Sequence, residues 1–280
     1  MTIKQAINEA KAEFFQNNIE DSALKAKILM QFVLKKNSSY IIANGENELK
    51  FERYEEFKNY TKKIIKGIPL QYITNKQEFM KLKFYVDENV LIPQPDTEIL
   101  VEQIINDYKN SNVRILDLCT GSGAIGISLA KYIEHCKIIC SDISNKAIQI
   151  AKLNAEQNFV HRKMDFILSD MFQNLKNIKV DVIASNPPYI KTNEIKSLDK
   201  EVQNEPVLAL DGGQDGLKFY KIIAENAYKF LSENGKLYLE IGYDQKEDLI
   251  NLLRNTNRYE DINCKKDLSG NNRVIIAKKR

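Results

Sequence analysis

From residue 114 onwards, short apolar runs alternate with amphipathic stretches, and this alternation constrains the fold more than any other feature of the chain. Residues 114–118, 137–141, 165–168, 180–184 and 236–241 are mostly apolar or β-branched over strand-length spans, and helical patterns separate most of them. Strands joined through helices pair in parallel by crossover connections. The run therefore predicts an α/β sheet covered by helices on both faces. Two further strands are expected at 259–264 and 273–277.

The first 75 residues have a different period. Apolar side chains at Ala6, Ile7, Ala10, Phe14 and Phe15, and again at Ala23, Leu24, Ile28, Leu29, Phe32 and Val33, each form one stripe of a 3.6-residue helix. A third helix is expected over 51–65, ending near Gly67 and Pro69. Between the two regions, Phe79, Leu82, Phe84 and Val86 precede the turn-prone Asp87-Glu88-Asn89, and Val90, Leu91 and Ile92 follow it. This pattern predicts a β-hairpin linker closed by Pro93 and Pro95, after which Asp96, Thr97 and Glu98 open a helix. The expected division is a helical domain over 1–75, a hairpin over 76–95 and an α/β domain over 96–280.

Composition removes several functional classes. The 280 residues are 43% hydrophobic and 28% charged, the balance of a soluble globular protein. The longest uncharged stretch, from Leu118 to Ala130, is too short to span a bilayer, and the first residues lack the apolar core of a signal peptide. A soluble, cytoplasmic protein with no membrane partner is expected. Lys and Arg exceed Asp and Glu by 41 to 38, a small excess that does not call for a stable nucleic-acid partner. Residues 1–85 hold that excess, with 15 basic and 10 acidic side chains. The four cysteines form no CxxC pair and only two histidines are present, so His135, Cys136 and Cys140 read as buried thiols beside a histidine rather than as a metal site.

In a parallel sheet the ligand lies at the carboxyl ends of the strands, beside the first strand–helix turn. Here that turn is Asp117-Leu118-Cys119-Thr120-Gly121-Ser122-Gly123-Ala124-Ile125-Gly126, with Gly121, Gly123 and Gly126 in GxGxxG spacing. Asp142 follows Gly121 by 21 positions, where a carboxylate can bind both hydroxyls of an adenosine ribose. These residues alone fit a nicotinamide cofactor as well as S-adenosylmethionine. Asp117 favours the second, because a carboxylate repels a pyrophosphate and attracts an ammonium or sulfonium group.

Asn186-Pro187-Pro188-Tyr189 follows the expected strand 180–184. Proline has no backbone N–H, so this stiff segment offers carbonyl acceptors and few donors, and Asn186 adds a side-chain carbonyl. A planar NH₂ group, with two donors to satisfy, is its complement. Tyr189 has a ring that can stack on such a group.

Together with the 117–123 loop, this segment resembles the class I S-adenosylmethionine-dependent methyltransferases that modify planar amino groups. Within them the chain is similar to the peptide chain release factor glutamine methyltransferases, the PrmC/HemK family. The narrower resemblance is carried by Leu91-Ile92-Pro93-Gln94-Pro95-Asp96-Thr97-Glu98, Ser169-Asp170-Met171-Phe172, Glu205-Pro206, Ala209-Leu210-Asp211-Gly212-Gly213 and Gly270-Asn271-Asn272-Arg273. The chain departs from the family pattern at Cys119, where Gly is usual, at Gln94, where Arg is common, and at Met171, where a larger aromatic can stand.

The resemblance implies a Rossmann-like methyltransferase sheet and a small N-terminal helical domain that docks a protein substrate. It implies that Cys119, Thr120, Gly121, Ser122 and Gly123 wrap the methionine part of S-adenosylmethionine, that Asp142 holds the ribose and that Asp170 and Met171 flank the adenine. Asn186, Pro187, Pro188 and Tyr189 receive the substrate glutamine of the Gly-Gly-Gln loop in bacterial class 1 release factors. The expected chemistry is methyl transfer to the glutamine amide nitrogen, with the Asn186 side chain and the Pro187 carbonyl as acceptors. The rival readings are a ribosomal-protein glutamine methyltransferase, an adenine amino-methyltransferase acting on DNA or RNA and, in another class, a nicotinamide-dependent oxidoreductase.

Overall fold

A computed structural model describes residues 1–280. The chain forms two compact units, Met1–Asn75 with Asp199–Asn204, and Lys76–Leu198 with Glu205–Arg280.

The first unit is helical, with α1 (Ile3–Gln16), α2 (Ser22–Leu34), α3 (Ser38–Ala43), α4 (Phe51–Ile65) and α5 (Leu70–Thr74). A reciprocal cap starts α1: the Gln5 N–H donates to Thr2 Oγ1 at 3.2 Å and the Thr2 N–H to Gln5 Oε1 at 2.8 Å. Ile3, Ala6, Ala10 and Phe14 of α1 pack with Ala26, Leu29, Met30 and Val33 of α2. The buried stripes are thus rotated from those expected, and Phe15 and Leu24 are exposed. Counting every apolar side chain overstates a stripe. Ile3 and Ala26, one turn earlier or later, complete the faces that are buried. The short helix Lys200–Gln203 belongs to this unit, where the Asn204 side-chain amide donates to the Gly67 carbonyl at 3.1 Å and Glu201 pairs with Lys25.

The second unit begins with the hairpin β1 (Gln77–Phe79) and β2 (Leu82–Phe84). Its turn is Met80-Lys81, with φ of 49° and 58°, the left-handed pair that a two-residue hairpin requires. The hairpin is therefore not centred on residues 87–89. Asp87 does make a turn, its Oδ1 accepting from the Asn89 N–H at 2.9 Å, but no strand follows. The Ile92 N–H donates to the buried Glu205 carboxylate at 2.8 Å instead, so a side chain replaces the expected ladder.

The main sheet holds β3 (Val113–Leu118), β4 (Cys136–Asp142), β5 (Met164–Leu168), β6 (Val180–Ser185), β7 (Leu231–Glu240), β8 (Tyr259–Lys266) and β9 (Asn272–Lys279), in the order β5-β4-β3-β6-β7-β9-β8. All seven strands lie where the alternation predicts them. β7 starts five residues early, because the polar Ser232-Glu233-Asn234-Gly235 hides its first half from a hydrophobicity pattern. Neighbours from β5 to β7 are parallel, and β9 runs antiparallel between β7 and β8. Strand order reverses between β3 and β6, which opens a crevice at their carboxyl ends.

Helices α6 (Pro95–Tyr108), α7 (Ala124–Tyr132) and α8 (Asn145–Gln157) belong to this unit. Pro95 occupies the first turn of α6 and no side chain caps it, so the helix opens one residue before the expected Asp96. Fully buried Leu116, Ile183, Tyr220, Leu237, Leu239 and Ile275 form the centre of the core, each worth about 1.5–3 kcal/mol by burial. Cys136 and Cys140 are buried within β4, and His135 is exposed. No helix is long and apolar enough to cross a membrane.

Candidate active site

Leu118 and Ser185 pair at the ends of β3 and β6, and a cavity of about 300 Å³ opens beyond them. The 119–122 loop, Asp142, the Asp170-Met171 pair, Asn186 and Pro188 line it. The loop turns sharply, with φ of 63° at Cys119 and 55° at Gly121. A Cβ at Gly121 would meet nothing, so glycine is there for its backbone conformation. Gly126 serves a different purpose: a Cβ would lie 2.7 Å from Cys140 Sγ and 2.9 Å from Asp117 Oδ2, so its absence lets α7 approach the sheet.

Asp117 is not part of the cavity wall. It is fully buried, and its Oδ2 accepts from Thr120 Oγ1 at 2.5 Å and from the Gly126 N–H at 2.9 Å. Oδ1 has no partner. Burial pushes this carboxyl up to about 7, against the opposing pull of those two donors. Asp117 therefore ties the loop to the start of α7, and the charge argument built on its meeting a sulfonium does not describe its position.

Asp142 does line the cavity. Its Oδ2 accepts from the Gly121 N–H and its Oδ1 from the Ser144 N–H, both at 2.9 Å, and burial pushes its carboxyl up. Each carboxylate oxygen keeps a lone pair for a further donor such as a ribose hydroxyl. Next to it, the Ser169 N–H donates to the Asp142 carbonyl at 2.8 Å, and Ser169 Oγ to the Met171 carbonyl at 2.8 Å. Asp170 is exposed at the rim and Met171 is buried behind it. The half-buried Cys119 packs against the same core cluster, and burial pushes its thiol up, so it stays protonated.

The Asn186 amide nitrogen donates to Thr97 Oγ1 at 3.2 Å. This bond engages one of the two amide hydrogens on the protein side, and Asn186 lines the cavity. Both prolines are buried, and Pro188 lines the wall whereas Pro187 does not. Tyr189 also lies outside the wall. Its half-buried ring packs on the core, and its carbonyl accepts from Gln245 Nε2 at 3.0 Å. The stacking role expected of this ring is not its position here.

The motifs that lay scattered in the sequence meet around this segment. A Cβ at Gly212 would stand 2.7 Å from Tyr189 Cα, so this glycine lets the Ala209–Gly213 motif lie against the Tyr189 backbone, whereas Gly213 has a φ of 87° that favours glycine. Glu205 holds Ile92, and Arg273 pairs with Asp96 at 3.0 Å and with Asp267 at 3.1 Å. Glu240, at the end of β7, is almost fully buried, and burial pushes its carboxyl up to about 7 while Thr97, Arg273 and Tyr189 act to keep it charged. Sequence reasoning passed over Glu240 and read Thr97 only as part of a helix start. The available signal was a lone carboxylate ending the apolar run Leu237-Tyr238-Leu239, the same signature that singles out Asp117.

Residues 5–74 match the PrmC N-terminal domain and residues 94–205 the methyltransferase small domain. The chain is 38% identical to the release factor glutamine methyltransferase of Clostridium acetobutylicum, covering 99% of this chain and 98% of that protein. It is 36% identical to the Clostridium botulinum protein of the same name, over the full length of both. Among solved structures, a methyltransferase from Pyrococcus furiosus shares the fold, with a TM-score of 0.54 and 18% identity over 79% of this chain and 98% of that one. With this likeness over its full length, the chain belongs to the release factor glutamine methyltransferase family.

Proposed function

We propose that this protein transfers a methyl group from S-adenosylmethionine to the side-chain amide nitrogen of the glutamine in the Gly-Gly-Gln loop of bacterial class 1 release factors. The observation that carries the reading is the amide of Asn186, anchored through its nitrogen on Thr97 in the wall of the cavity, beside the 119–122 loop and Asp142.

The loop, Asp142, Asp170 and Met171 hold S-adenosylmethionine. Asp142 supports this fit, with lone pairs left over for ribose hydroxyls after its two backbone bonds. Bound there, the cofactor supplies an electrophilic methyl carbon on a sulfonium sulfur. An amide nitrogen is a weak nucleophile because its lone pair is delocalised into the carbonyl. Asn186 Oδ1 accepts one of its N–H groups, raises electron density on nitrogen and stabilises the positive charge that grows there. Pro187 and Pro188 remove backbone donors from the segment, so no N–H competes for the same site. Holding the nitrogen in line contributes further by positioning. The methylated amide loses its proton readily, so no strong base is needed, and the protonated Cys119 thiol is not required to act as one. The helical unit of residues 1–75 docks the release factor, and such a substrate places the enzyme in the cytoplasm.

The test is incubation with labelled S-adenosylmethionine and either purified release factor or nucleic acid, followed by mapping of the methylated residue. Label on the Gly-Gly-Gln glutamine is expected, and label on adenine instead, or none on the release factor, would overturn the reading. Asn186→Ala is expected to lower kcat about 100-fold or more, the scale of losing one charge-stabilising hydrogen bond, while cofactor affinity stays close to wild type. Equal loss of both would remove the acceptor role.

A further inference from the structure

We infer that Arg273 and Asp96 are positioning residues, whose ion pair sets the first turn of α6 and thereby the Thr97 hydroxyl on which Asn186 is held. This rests on the proposed reading of Asn186 as the acceptor and adds what keeps its support in place.

The first turn of a helix is its least determined part, because its N–H groups lack partners within the helix. No side chain caps α6, which begins at Pro95. Its fixed points come from other segments of the chain. Asp96, Thr97 and Glu98 follow one another around that turn, about 100° apart, and each meets a different neighbour. Arg273 Nη2 lies 3.0 Å from Asp96 Oδ2, Thr97 Oγ1 accepts from Asn186 Nδ2 at 3.2 Å, and Glu98 Oε1 accepts from the Met80 N–H. The buried Thr97 is thus flanked by two anchored carboxylates. Together they fix the rotation of the turn about the helix axis, and with it the direction of the hydroxyl.

Arg273 is the fixed end of its contact with α6. Its side chain is 11% exposed, against 49% for Asp96. Its Nη2 also lies 3.1 Å from Asp267 Oδ2, and its Nη1 donates to the Ile241 carbonyl at 3.4 Å. Asp267 is set in turn by the hairpin between β8 and β9. There its Oδ1 accepts from the Asn271 N–H at 2.8 Å and its carbonyl from the Gly270 N–H at 3.0 Å. Gly270 has a φ of 86°, a left-handed conformation that favours glycine. The Gly270-Asn271-Asn272-Arg273 motif therefore folds a turn that presents the Asp267 carboxylate, and that carboxylate holds the guanidinium that reaches across to α6. Arginine suits the task, since its planar fork serves two carboxylates and a carbonyl in fixed directions, where a lysine ammonium would not.

Asp96 is the partner to vary, because its side chain is half exposed and its loss leaves Arg273 on Asp267 and Ile241. The test compares wild type, Asp96→Ala, Asp96→Glu, Thr97→Val and the double variant Asp96→Ala with Thr97→Val, using full-length protein, release factor and S-adenosylmethionine. Asp96→Ala is expected to lower kcat about tenfold, the scale of a small misplacement near reacting groups, with the release factor KM and the cofactor Kd close to wild type. Asp96→Glu is expected to restore most of that loss. In the Thr97→Val background Asp96→Ala is expected to cost nothing further, since its effect passes through the Thr97 hydroxyl. Hydrogen exchange of the Asn186 side-chain amide, followed by NMR, reads the same support without turnover: slow in wild type, faster in Asp96→Ala and in Thr97→Val. Wild-type kcat in Asp96→Ala, no recovery in Asp96→Glu, losses that multiply in the double variant, or equal exchange rates would each overturn the inference. A wild type that does not methylate glutamine but shows the exchange differences would overturn the substrate reading and leave the positioning role standing.

Discussion

The Cys119 thiol lies 3.8 Å from the Met171 thioether sulfur, and both residues have positive φ, 63° and 45°. These are two of the three positions at which the chain departs from the pattern of the family it resembles. The departures are therefore one packing arrangement: a side chain added at 119 occupies space that a larger residue at 171 would need.

This contact sets up a double-mutant cycle. Met171→Phe is expected to weaken S-adenosylmethionine binding by crowding Sγ of Cys119. Cys119→Gly, which relieves a left-handed backbone cost of about 1–3 kcal/mol, is expected to restore it in the double variant. Calorimetric Kd values for the four proteins should give a coupling of about 0.5–3 kcal/mol. Additive effects would show that the two sites are independent.

Tyr189→Phe removes a hydroxyl that helps to keep Glu240 charged. Glu240 is then easier to protonate in the folded protein, so the pH window over which urea-unfolding stability falls as it ionises is expected to extend upward by up to about one unit, since a hydrogen bond is worth about 0.5–1.5 kcal/mol. A pH profile identical to wild type would show that the phenol does not reach this network.

Asp117 makes folding stability depend on pH in an unusual direction. Its folded-state carboxyl is pushed up, so between 3.8 and about 7 the folded protein holds a proton that the unfolded chain has lost. Its contribution to stability is therefore fully present below that window and falls as pH rises through it. Glu240 acts in the same sense between 4.5 and about 7. Urea unfolding at about pH 5 and about pH 8 should show a smaller difference for Asp117→Asn than for wild type. The same difference in both proteins would mean that Asp117 ionises normally.

Gly126→Ala sets helix propensity against packing. Alanine favours a helix by about 1 kcal/mol over glycine. The added Cβ would stand 2.7 Å from Cys140 Sγ and 2.9 Å from Asp117 Oδ2, inside contact distance of a sheet that cannot retreat. Packing is expected to win, with a net loss of about 1–3 kcal/mol in urea unfolding. A more stable variant would show that α7 can shift away from β3 and β4.

The strands of the α/β region were legible because their neighbours bury them on both faces, which leaves long apolar runs that periodicity detects. The Met80-Lys81 turn was not legible, since neither residue is a typical choice for left-handed backbone. The donor-poor character of residues 186–189 could be read locally, because the absence of N–H groups is a property of proline itself.

The sequence by itself determined the alternation that builds the parallel sheet, the glycine turn and the donor-poor Asn186-Pro187-Pro188 segment. All three depend on covalent structure or on a period within a few residues. Only the tertiary structure decided that Asp117 lies behind the cavity rather than in it, that Tyr189 packs on the core, and that Arg273 meets Asp96 across 177 positions of chain. The reason is physical. What a buried carboxylate or an amide does depends on which donors the fold brings within 3 Å or so, and packing sets those distances, not the order of residues.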